Sequence, residues 1–240
     1  MPHPKGAGSI GVWGDFLPSR VDVVLRKFPQ QLEAIQKQYA SALTNHEMSD
    51  DLLHDIARFV EDCQRVLDWT ATDLDRRYGK SRSRSPYYPL HNAPEGFEAA
   101  MARDFPTVPQ AVYDAMERHQ PYQPDKKSLR YLHDLARVNK HQDFTPQTRT
   151  ESRRIRASSG GAVVEWDPGA VTFGTGVSIG GVPVDPRTQR PVPSPTQEVT
   201  EIIYVGWNFV NPNVPVLPTL ESLSRLIVEA VTDVRHAGGL

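Results

Sequence analysis

Apolar residues return at steps of three and four through the first half of the chain, and this spacing predicts helices. The clearest run is SDDLLHDIARFVEDCQRVLDWTATDLDRRY, where Leu53, Ile56, Val60, Cys63, Leu67, Thr70 and Leu74 form one stripe. Ser49 or Asp50 is placed to cap the first free backbone N–H groups. Acidic residues fill the first turn, at the positive end of the helix dipole. This helix is expected to end near Tyr78 and Gly79, with its stripe facing another helix. Upstream, Val23, Val24, Leu32, Ile35, Tyr39 and Leu43 carry the same spacing after Ser19, a second N-cap candidate. Pro29 falls inside that run. Proline has no N–H and its ring collides with the preceding turn, so a kink or two joined helices are expected there.

Further along, GFEAAMARDF predicts a short helix, and Pro109 to His119 another with Pro109 in its first turn. That helix must stop at Gln120, because Pro121 holds the preceding residue out of the helical region. SLRYLHDLARVNKHQDF predicts a helix from about Lys127 to His141, with Leu129, Leu132, Leu135, Ala136 and Asn139 on one stripe. After TPQTRTESRR the pattern changes. Short β-branched runs split by Gly and by Asp-Pro-Gly predict strands with tight turns. EVTEIIYVGWNFV is the strongest strand, with Val199, Glu201, Ile203, Val205, Trp207 and Phe209 on one face. A closing helix is expected from Thr219 to about His236. Its stripe of Leu220, Leu223, Ile227, Ala230, Val231 and Val234 needs cover, and the sheet is expected to give it. Residues 1–17 have no periodicity and read as a loose arm. The reading is α+β: an antiparallel helical bundle over 18–148, then a small antiparallel sheet and a C-terminal helix over 149–240, packed on the bundle.

Composition narrows the partners. A chain of 240 residues can bury a real core as one large domain or two modest ones. With 27 basic and 29 acidic residues the net charge is -2, which gives no bulk attraction to DNA or to a membrane. The single cysteine, Cys63, excludes an intrachain disulfide and a cysteine-rich zinc site, and suits a reducing compartment. The first residues hold no long apolar run, so no signal peptide is expected. No stretch approaches the ~18 apolar residues of a membrane helix. A cytoplasmic protein is expected, with no membrane or DNA partner.

One polar cluster stands out. Asn139 falls on an apolar stripe, where an amide without partners costs ~1–3 kcal/mol. His133, Arg137 and His141 make a second stripe, with Lys140 between. On the long helix Asp68 lies one residue past Leu67, three from Arg65 and within reach of it. If the long helix packs on the 127–141 helix, Asp68 reaches Lys140 or His141. Two readings stay open. In one, Asp68, Asn139 and Lys140, with Gln120 and Tyr122 of the proline bend, form a latch that fixes helix register. In the other, His141 moves a proton while Arg137 and Lys140 hold phosphate.

The order VEDCQRVLDW, YYPLHNAPEGFE, MERHQPYQP, SLRYLHDLARVNKHQDF resembles an uncharacterised bacterial family. That family is marked by a helix carrying Arg, Leu and Asp (here Arg65, Leu67 and Asp68) and by an aromatic-Pro segment with Pro89. A Gln-Pro-Tyr turn follows (Gln120, Pro121, Tyr122), then an Asn/Asp-Lys-His helix end (Asn139, Lys140, His141). Gln142 stands where the family often has arginine. The resemblance implies helices, then strands, then a closing helix, and no known activity. The chain is also similar to HEPN domains, helical bundles that often cleave RNA without a metal. That resemblance implies Arg137 and His141 as catalytic residues, although they stand closer together than in the HEPN pattern.

The remaining features add little chemistry. GKSRSRS is a basic loop without the phosphate-loop pattern; it reads as a solvated loop, with RNA phosphates as the alternative contact. The histidines lack metal-ligand spacing: His133 and His141 would stand ~12 Å apart along a helix. No metal or cofactor is expected. His119 reads as the end of a helix, Cys63 as a buried small hydrophobe, and GTGVSIGG as turns. Trp166 and Trp207 read as sheet core or edge. A homodimer and an RNA partner are both compatible with this reading.

Overall fold

In the computed structural model, residues 19–79, 86–141, 147–159 and 162–240 are described, residues 138–141 by their backbone alone. The predicted break at Pro29 is a junction of two helices, α1 (Arg20–Leu25) and α2 (Phe28–Asn45), with Pro29 in the first turn of the second. Ser19 and Asp22 cap α1 reciprocally, each side chain bonded to the other's backbone N–H. Ser49 caps α3 (Asp50–Tyr78), its hydroxyl accepting the Leu52 N–H at 3.2 Å. Then come α4 (Pro94–Asp104), α5 (Gln110–Arg118) and α6 (Leu129–His141). The last helix, α7 (Val216–Gly238), starts earlier than its periodicity suggests.

α3 packs against α1, α2, α6 and α7. It is therefore buried on more than its one predicted stripe: Leu52, Phe59 and Val66 are fully buried, while Leu53 is only half-buried. Leu129, Leu132, Leu135 and Ala136 of α6 join the same core. The stripe of α7 is buried as predicted, but its cover is different. α2, α3 and α5 enclose it, and the sheet adds less, chiefly through its last two strands. The physical reason is supply: few side chains of the sheet enter this core, too few to cover six turns of apolar helix.

The strands are β1 (Gln147–Ser159), β2 (Ala162–Trp166), β3 (Ser178–Ile179), β4 (Val182–Asp185), β5 (Arg190–Pro191), β6 (Glu198–Phe209) and β7 (Val214–Pro215). They form a four-stranded antiparallel sheet, β2-β1-β6-β7, and a small three-stranded one, β3-β4-β5. The fold is α+β. β1 and β6 pair without a bulge from Gln147↔Phe209 to Ser158↔Glu198. β1 thus begins inside QTRTESRR, upstream of the expected strand, because a backbone ladder needs no apolar side chains once β6 supplies the partner groups. Gly180 and Gly181, both at positive φ, close the β3–β4 turn, a conformation that side-chain-bearing residues resist.

This sheet joins two cores. Near the bundle, Trp207 and Phe209 enter the main core. At the far end, Ile155, Ala157 and Trp166 pack with Phe173 and Ile179 in a second, small cluster. Between them the two central strands are open: Ile203 is 52% exposed and Tyr204 47%.

Candidate functional site

Two of the polar residues singled out in the sequence, Asp68 and Gln120, meet at residues 86–91, a segment outside any helix or strand. Its backbone N–H groups have no ladder to join, so side chains must accept them. The Asp68 carboxylate takes the Tyr88 N–H at 3.2 Å and the Gln64 amide at 3.1 Å, one turn earlier on α3. Gln120 is fully buried. Its Oε1 accepts the His91 N–H at 3.1 Å, and its Nε2 donates to the Met116 carbonyl at 2.9 Å, closing the last turn of α5. Two predicted residues, on different elements, thus hold one strap from two ends.

Other predicted residues stand differently. The Tyr122 hydroxyl donates to Glu117 at 3.4 Å; burial, with the Glu117 charge after it, pushes its phenol up to about 12. Arg137 is exposed on α6. The side chains of Asn139, Lys140 and His141 lie outside the described residues, as does the basic loop at 80–85. The packing of α3 on α6, which the latch requires, is present. Arg65 does not meet Asp68. It pairs with Asp62 at 2.5 Å and with Glu61 at 3.8 Å, because Asp68 faces the strap while Arg65 projects outward beside Trp69. Cys63 is fully buried, and burial holds its thiol well above the ordinary range.

A second cluster was not legible in the sequence. His119 ends α5 as expected, but it is also buried, at 7% exposure, with Nε2 3.0 Å from Asp233 Oδ2 of α7. Arg118 reaches the same oxygen at 3.0 Å. An ionised carboxylate only accepts, so Nε2 carries the proton and Nδ1 is left as an acceptor. Nδ1 is buried without a partner among the described residues, and so is the Tyr88 hydroxyl. Burial lowers the His119 pKa, outweighing the pull of Asp233 in the other direction. Burial likewise raises the Tyr88 phenol, with the Asp233 charge adding to it. Burial pushes Asp233 up, yet Arg118 and His119 together bring it below its ordinary value. One turn away on α7, Glu229 takes Lys126 at 3.0 Å and Arg225 at 3.0 Å. The imidazole is thus neutral near pH 7 and oriented by a carboxylate, as a general base would be, but its second nitrogen is closed off by protein.

The one signal in the sequence is helical phase, which sets Asp233 next to Val234 of the α7 stripe without naming the helix it faces. Among the described residues no group of three or more His, Cys, Asp or Glu is arranged to hold a metal ion, and no helix is long and apolar enough to cross a membrane. No protein family, curated protein or solved structure matches this chain.

Proposed function

We propose that the chain is a non-catalytic interaction or regulatory module of the cytoplasm. In this reading Asp68 and Gln120, with Asn139, Lys140 and His141 at the end of α6, serve to hold elements together rather than to act on a substrate. The observation that carries it is the double grip on residues 86–91. Asp68 and Gln120 both spend acceptor atoms on backbone N–H groups of that one strap, at 3.2 and 3.1 Å. The closed environment of His119 supports the same reading, since its buried second nitrogen offers no place for a reacting group.

The rival is an HEPN-like, metal-independent endoribonuclease or RNA-binding protein using His141 and Arg137, and the exposure of Arg137 on α6 favours it. Purified protein incubated with total RNA, beside His141→Ala, separates the two. The module reading expects RNA to stay intact, or to be lost equally with both proteins. Cleavage that the substitution abolishes overturns it.

A further inference from the structure

The Trp207 backbone N–H points away from β1 and is taken by the Tyr39 hydroxyl at 2.8 Å. Residues of an antiparallel strand alternate in the side to which they aim their backbone groups. Val205, Ile203, Glu201 and Val199 therefore aim their N–H and C=O groups the same way as Trp207, outward from the sheet. Among the described residues, strand pairing covers that edge at Asn208 and Phe209 alone, through β7. Among the described residues no other backbone group bonds to those four. Natural sheets guard such an edge with charged side chains, lysine above all, with proline or with a bulge; here the charges are Glu198 and Glu201, both toward the far end of β6. From Glu198 to Phe209 there is no lysine and no proline, and the pairing with β1 has no bulge. From Ile202 to Val205 the side chains are apolar or aromatic, and Ile203 and Tyr204 are each about half exposed.

We infer that this edge of β6 pairs antiparallel with the same edge of a second copy of the chain, joining two four-stranded sheets across a two-fold axis. The inference deepens the interaction-module reading and rests on it by naming the partner. An open row of backbone donors and acceptors is complementary to another strand. The sequence of β6 favours its own copy in one register. With Ile203 on the axis, Ile203 faces its counterpart, Tyr204 faces Ile202 of the second copy, and Val205 faces Glu201. That carboxylate is already held by Arg190 at 2.6 Å, with Arg153 at 3.6 Å, so it brings little net charge to the contact. A register centred on Glu201 would instead set two carboxylates opposite each other, which destabilises a strand pair. The contact is isologous and closes at two copies.

Sedimentation and light scattering on the full chain test this, with Ile203→Lys and Ile203→Cys as variants. The expected result is a wild-type dimer that Ile203→Lys weakens at least ~tenfold, through like charges meeting on the axis. Its melting temperature should match that of a wild-type sample diluted to monomer. Mild oxidation should link Ile203→Cys as a dimer, while buried Cys63 stays inert. A wild type that is monomeric up to its solubility limit overturns the proposal. So does a dimer that survives Ile203→Lys, or one that Ile203→Cys does not cross-link. Should Ile203→Lys fail to fold, the cross-link alone decides. None of these failures touches the module reading, which stands or falls on the RNA experiment.

Discussion

Tyr39 and Trp207 are 168 residues apart in the chain, yet the Tyr39 hydroxyl accepts the Trp207 backbone N–H at 2.8 Å in a buried setting. This bond fastens the sheet to α2. Tyr39→Phe keeps the ring and removes the acceptor, stranding a buried N–H. A loss of ~1–3 kcal/mol in urea unfolding is expected. Hydrogen exchange at the Trp207 amide should quicken by more than exchange at core amides of α3. Equal acceleration at both would show that the bond does not act locally.

The strap at 86–91 predicts a second pair of effects. Gln120→Ala strands the His91 N–H, removes one of the two bonds to the Met116 carbonyl, which keeps the His119 N–H at 3.3 Å, and opens a hole at a fully buried site. Asp68→Ala strands the Tyr88 N–H in the same segment. Each should cost ~1–3 kcal/mol, with Gln120→Ala the larger because a cavity adds to the lost bonds. The double variant should cost less than the sum if both residues hold one cooperative element. Strict additivity in denaturant titrations would reject the shared strap.

Stability should depend on pH through His119. Its folded pKa lies below the ordinary 6.5, so the unfolded chain binds a proton more readily. Stability is then full above about pH 6.5 and falls as the pH drops toward the lowered folded value. Asp233 acts in a separate window: its folded pKa lies below 3.8, and its contribution is lost only in stronger acid. His91 is lowered too, by burial and then by Arg103, and has the same sign as His119. The melting temperature of His119→Asn should therefore fall less between pH 7.5 and 5.5 than that of the wild type. A steeper fall in the variant would mean the sign is wrong.

Core position predicts the contrast along α7. Leu226 is fully buried between helices, and Leu226→Ala should cost ~2–5 kcal/mol. Val228, two residues on and 37% exposed, should tolerate alanine within ~0.5 kcal/mol. Chemical denaturation of both variants checks this. Similar losses would mean that α7 is enclosed on all sides.

What the sequence determined by itself was local. Helical spacing, Ser19 and Ser49 as caps, and Pro29 and Pro121 as breaks set where the helices lie, because those rules act within a turn or two of chain. The alternation of β6 and the paired glycines of the β3–β4 turn were legible for the same reason. Asn139, Lys140 and His141 were singled out by helical phase, and their side chains lie outside the described residues. Only the tertiary structure decided which faces meet. α7 finds its cover among α2, α3 and α5 rather than in the sheet, since apolar spacing says that a face is buried and not by what. The polar start of β1 becomes strand through the backbone of β6. His119 meets Asp233, and Arg65 turns from Asp68 to Asp62, because a charge chooses among partners that only packing brings within reach.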